Sequence, residues 1–89
     1  MAFRNNPDYI NIGKLTSAVG IRGEIRVMLY AGESDNLKKG AEIGLALGKK
    51  EETVSVTSIR YQNGKPVIKV SGYEDRTAVE ALRNNEIYI

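Results

Sequence analysis

The residues in this chain best suited to chemistry are basic ones gathered around a pair of glycines. Gly20-Ile21-Arg22-Gly23 has the Gly-x-x-Gly spacing that, between two helices, clamps nucleotide backbone. Here it joins two extended stretches instead. Lys14, Arg22 and Arg26 surround the turn in sequence, and Arg76 stands before a second element further on. Side chains of these types recognise an anionic surface, RNA or acidic protein. A plainer reading stands beside that one. Only glycine takes positive φ without a Cβ penalty, so Gly20 and Gly23 serve a tight turn, while the cations are solvated on a strand face paired with Glu24. The readings are compatible, because a rigid turn is a good place for a contact.

Bond-breaking chemistry finds no such arrangement. The 89 residues include no histidine and no cysteine. The commonest general base near neutral pH is therefore missing, as are thiolate ligands and disulfides. No nucleophile has a base beside it, and the carboxylates are dispersed. We expect no enzyme, no cofactor and no metal site. Thirteen basic against eleven acidic residues leave a net charge of +2, which allows an RNA-rich neighbourhood without demanding one. Nothing resembles a signal peptide, and the apolar runs are far too short to span a bilayer. A soluble cytoplasmic protein is expected, with neither a membrane nor a small-molecule partner.

The elements that must position these residues are mostly strands. Residues 1–8 read as a flexible leader, and one domain occupies 9–89. Tyr9 to Leu15 is the first strand, with Ile10 and Ile12 toward the core, bending at Thr16-Ser17. In the second, Arg22 to Tyr30, Ile25, Val27 and Leu29 alternate with Glu24, Arg26 and Met28, the period of a half-buried strand. A loop follows over Ala31 to Gly40. The third strand is Glu42 to Leu47, with Ile43, Leu45 and Leu47 inward and Gly44 and Ala46 outward. After a charged turn at Gly48 to Glu52, Thr53 to Gln62 forms a long strand. Its apolar parity slips between Val54/Val56 and Ile59/Tyr61, which predicts a bulge near Thr57-Ser58. Asn63-Gly64 is a type I′ hairpin signal, and Lys65 to Gly72 returns. The spacing of Thr77 and Glu80 predicts a capping box, opening a short helix that ends near Arg83 before Asn84-Asn85. Asp75 suits the helix N-terminus, and Arg76 either ties the helix to the barrel or binds a partner. Val79 and Leu82 close one barrel end, and Glu86 to Ile89 is a last strand. Short, evenly spaced strands with hairpin turns and one small helix imply an all-β closed antiparallel barrel.

Two segments carry a family resemblance. Gly13-Lys14-Leu15 followed by Gly20-Ile21-Arg22-Gly23-Glu24-Ile25-Arg26-Val27 resembles the opening signature of the RimM family, bacterial ribosome maturation factors. Asp75-Arg76 followed by Ala78-Val79-Glu80-Ala81-Leu82 resembles a second family segment, and the two frame nearly the whole chain. Many members carry histidine where this chain has Val19, so no role of that imidazole carries over. The resemblance implies a six-stranded antiparallel barrel with Greek-key-like connections, of the translation-factor type. It also implies a second, PRC-barrel domain, which is expected to be absent here. The implied function is non-catalytic and chaperone-like: binding the head of the free small ribosomal subunit to assist late rRNA processing and assembly. The implied partners are small-subunit ribosomal protein nineteen and head rRNA. The residues implied for partner binding are Lys14, Gly20, Arg22, Gly23, Arg26 and Arg76.

A rival reading is a stand-alone OB-like barrel for single-stranded nucleic acid. That mode needs aromatic and basic side chains interleaved on an exposed strand face. Tyr61, beside Arg60 and Lys69, is the nearest approach among the five tyrosines.

Overall fold

A computed structural model describes residues 3, 6–30, 37–47 and 50–89. The expected loop over 31–36, the Gly48-Lys49 turn and most of the leader lie outside the described residues. Six strands and one helix follow in the order β1 (Asn11–Val19), β2 (Glu24–Leu29), β3 (Glu42–Leu47), β4 (Lys50–Gln62), β5 (Lys65–Val70), α1 (Arg76–Glu80) and β6 (Glu86–Tyr88). The strands close into an all-antiparallel barrel in the order β1-β2-β5-β4-β3-β6. This is the expected six-stranded barrel with one short helix. The β3-β4-β5 meander returns beside β2, and β6 seals the gap between β3 and β1.

Alternation fills the interior. Leu15, Ile25, Leu45, Ile68 and Ile87 are wholly buried inside the barrel wall. Burial of each such side chain stabilises the fold by about 1.5–3 kcal/mol. Val79 and Leu82, from α1 and the turn after it, join the same core and plug one mouth. The chain then turns sharply at Asn84, whose φ of 66° is left-handed. Its N–H donates to the Leu15 carbonyl, and Leu15 N–H donates to Asn85, so the helix exit is stitched directly onto β1.

The hairpin and the bulge stand where expected. Asn63 and Gly64 have φ of 55° and 79°, as a type I′ turn requires. The β4–β5 register shifts between Val56 and Ser58.

Three expectations need correction. β1 does not end at Leu15 but continues to Val19, and a register shift between Leu15 and Ala18 falls at Thr16-Ser17, where the bend was expected. Gly13 and Leu15 are buried and Ile12 packs against the core as expected, across a register shift between Asn11 and Gly13, but Ile10 is 66% exposed rather than in the core. Gly44 and Ala46 do point outward, yet both are buried, since Phe3 and Tyr88 cover them. The Phe3 ring stacks on Tyr88 at 5.9 Å and meets Tyr9 edge-on at 4.7 Å. Position 44 must be small here: a Cβ on Gly44 would lie 2.8 Å from the Phe3 ring. Phe3 is thus a packed residue within the stretch read as a patternless leader.

Candidate functional site: the β1–β2 turn and the adjoining wall

The turn begins where the β1–β2 ladder ends, at the Val19↔Glu24 pair. Gly20 and Gly23 sit at φ of 68° and 84°. Their surroundings differ. Nothing lies within 4 Å of a Cβ built on Gly20. A Cβ on Gly23 would stand 2.7 Å from the Tyr73 carbonyl oxygen and 2.9 Å from the Glu74 carbonyl carbon. Gly23 therefore lets the segment before α1 lie directly on the turn. That segment grips it further. Arg76 N–H donates to the Ile21 carbonyl at 3.2 Å, and the Arg76 guanidinium donates to the Gly20 carbonyl at 3.2 Å. The same guanidinium pairs with Glu80 at 2.9 Å, one helical turn on. The expected tie between helix and barrel is present.

The helix start is corrected by one feature. Its N-cap is Asp75, whose carboxylate accepts from Ala78 N–H at 2.8 Å. Thr77 lies inside the first turn, and Glu80 serves Arg76 rather than a capping box. Asp75 caps as well as threonine does, and it stands where the chain leaves Gly23.

Pinned at both glycines, the turn projects Ile21, 77% exposed, with exposed Arg22 beside it. Ile21 was not singled out by sequence, although an isoleucine inside a Gly-x-x-Gly turn has no core to face. The other candidates lie on the wall. Arg26 faces outward between buried Ile25 and Val27, donating to Ser17 Oγ and Gln62 Oε1, each at 3.1 Å. Lys14 lies across from Met28 on one side and Glu86 on the other. At about 3.3 Å per residue it is roughly 20 Å along β1 from Gly20. The structure thus gathers Gly20, Arg22, Gly23 and Arg76 at one end, sets Arg26 on the wall, and leaves Lys14 apart. Arg83 is a further cation missed by sequence; its guanidinium donates to the Thr16 carbonyl at 3.1 Å, between these groups.

The pairing that the plainer reading expected takes another form. Among the described residues, Glu24 makes no ion pair with Lys14, Arg22 or Arg26, although Arg22 is near enough to favour its charged form. It takes a two-point bond from Arg60 instead, at 2.8 and 3.1 Å. That guanidinium holds the Glu24 carboxyl below its ordinary range, against a smaller opposing effect of burial. The same bond engages the cation that the rival reading set beside Tyr61. Tyr61 itself is 63% exposed, because the β4–β5 hairpin runs on past the last β2–β5 pair. Among the described residues, no helix is long and apolar enough to cross a membrane.

Comparison with known proteins agrees with this architecture. The family model described as the RimM N-terminal domain matches residues 10–89. The ribosome maturation factor RimM of Nitratidesulfovibrio vulgaris is 36% identical over 81 residues, which are 91% of this chain and 46% of that protein. Its namesake in Mesorhizobium japonicum is 32% identical over 89 residues, 100% of this chain and 42% of that one. The chain therefore spans less than half the length of these curated relatives. Among solved structures, the 16S ribosomal RNA processing protein RimM of Pseudomonas aeruginosa superposes with a TM-score of 0.78 at 28% identity, over 92% of this chain and 50% of that one. The N-terminal domain of RimM from Thermus thermophilus gives a TM-score of 0.69 at 17% identity, covering 91% of this chain and 87% of that domain, a likeness of fold alone. Signature turn, closing helix, barrel order and the match over residues 10–89 converge: the chain belongs to the RimM family and corresponds to its N-terminal domain.

Proposed function

We propose that this domain acts in ribosome maturation as a non-catalytic binding module in the cytoplasm. It docks on the head of the free small subunit, against head rRNA and small-subunit ribosomal protein nineteen, and assists late rRNA processing and assembly. Binding favours the native arrangement of the head over misfolded alternatives, a population shift that needs no chemical step. The observation that carries this reading is the braced turn. Ile21 and Arg22 project from a loop held by two left-handed glycines and by the Arg76 clamp. A loop ordered before binding loses little freedom when it docks. The relatives named as ribosome maturation factors support the assignment of the process.

Co-sedimentation with purified free small subunits tests it. Arg22→Ala should weaken association severalfold while stability stays within about 0.5 kcal/mol, as for an exposed residue. Arg26→Ala should add to the effect, at the further loss of its two hydrogen bonds. Unchanged association of the folded double variant would remove this surface from the interface. Tight binding to mixed oligonucleotides with a steep salt dependence, and none to subunits, would favour the single-strand reading instead.

A further inference from the structure

The outer face of β2, β5 and β4 has an order that the barrel interior does not explain. Val67 pairs with Arg26 on one side and with Arg60 on the other. Residues directly opposite in a ladder share a face, so Val67 points outward with both arginines. It is nevertheless 0% exposed, although it takes no part in the interior cluster. Two side-chain braces cover it. Arg60 reaches across β5 to Glu24 at 2.8 and 3.1 Å, and Arg26 reaches across β5 the other way to Gln62 at 3.1 Å. By the register the braces run side by side, with Val67 between them. Lys65 and Lys69 stand two positions to either side of Val67 on β5 and therefore share the face.

The composition of this face selects what fits it. The whole chain is nearly balanced, with thirteen basic and eleven acidic residues, yet here Arg26, Arg60, Lys65 and Lys69 stand against Glu24 alone. A guanidinium has five N–H groups, and the bonds of Arg26 and of Arg60 use two each, so both can bond further acceptors while held in place. A protein partner needs an apolar centre to bury, and Val67, which would supply it, is covered; exposed Met28 stands at a corner. Unstacked bases need aromatic rings, and Tyr61 has the opposite parity to Arg60. Cations held on a sheet can engage phosphates without either. We propose that this face receives the phosphate backbone of double-helical RNA, recognised by shape and charge and not by sequence. The proposal rests on the reading that rRNA is among the partners, and it adds a second surface beside the turn.

Fluorescence anisotropy of a labelled RNA duplex of about 16 base pairs, titrated with the 89-residue chain, tests this. No ribosomal component is present, so the face and the subunit contact through the turn fail separately. The duplex should bind in the range of sequence-independent contacts, with Kd of about 10–100 μM. With about three phosphates engaged, affinity should fall roughly 40-fold between about 50 and 200 mM salt. Lys65→Gln and Lys69→Gln leave both braces in place, and each should lower the slope of log affinity against log salt by about 1. An unchanged slope in the folded double variant would overturn the proposal, as would no duplex binding up to about 1 mM protein at the lower salt. So would tighter binding of oligouridylate than of the duplex, or equal binding of polyglutamate.

Discussion

Replacing Gly23 by alanine isolates what the closeness of two backbones is worth, because Gly20 supplies a control three residues away. Both glycines have left-handed φ, 68° and 84°, so an alanine at either meets the left-handed penalty of roughly 1–2 kcal/mol. Both substitutions recover some of this, about 0.4–1 kcal/mol, by stiffening the unfolded chain. At Gly20 nothing else happens, since the added methyl meets open space. At Gly23 it would meet the Tyr73 oxygen at 2.7 Å, the Glu74 carbon at 2.9 Å and the Asp75 nitrogen at 3.1 Å. These are backbone atoms, and they cannot swing aside as a side chain would. Moving them loosens the Arg76 bonds to Gly20 and Ile21. Overpacking of this kind typically costs about 1–3 kcal/mol. Gly23→Ala should therefore be less stable than Gly20→Ala by about 1–3 kcal/mol in urea unfolding. For a domain of this size that is a further fall in Tm of roughly 5–20 °C. Equal stability of the two variants would refute the claim that Gly23 is fixed by contact with the segment before α1.

Two further outcomes are expected. Asp75→Ala should cost about 1 kcal/mol in the same assay by removing the cap, whereas Thr77→Ala, exposed within the first turn, should stay within about 0.5 kcal/mol. Acid titration should reveal the Glu24–Arg60 pair: the folded carboxyl titrates below its unfolded value, so the stability it adds is fully present above the ordinary glutamate range. It is lost as pH falls through the folded value, and Glu24→Gln should flatten that limb of the stability–pH curve.

Most of the barrel could be read from the sequence, because strict alternation and turn chemistry act locally. Ile25, Val27, Ile43 and Leu45 declare their face by period, and Asn63-Gly64 declares its turn. What the sequence hid depends on groups brought together from far apart. Position 13 must be glycine because the Met28 carbonyl, fifteen residues on, leaves no room for a Cβ. The partner of Glu24 is Arg60, thirty-six positions away, and no nearby basic residue. Gly20 and Gly23 look alike as letters, yet only Gly23 has a second backbone lying on it. The candidate site was legible as a turn with cations. Its division into a braced end and a separate wall was not, since that follows from the length of β1 and the docking of α1.

The placement of β6 governs when this domain can exist at all. β6 spans only Glu86–Tyr88, yet it is the stave that joins β1 to β3. The side-chain bond from Asn11 to Glu86 crosses 75 positions of sequence. During synthesis, the earlier five strands can meander and pair, but the ring stays open until these three residues are free to move. Until then β1 and β3 each present a bare edge, the condition under which strands find the wrong neighbour. Closing so long a loop is slow compared with helix formation. A domain proposed to attend ribosome maturation thus closes its own ring only once the short segment after α1 has itself left a ribosome.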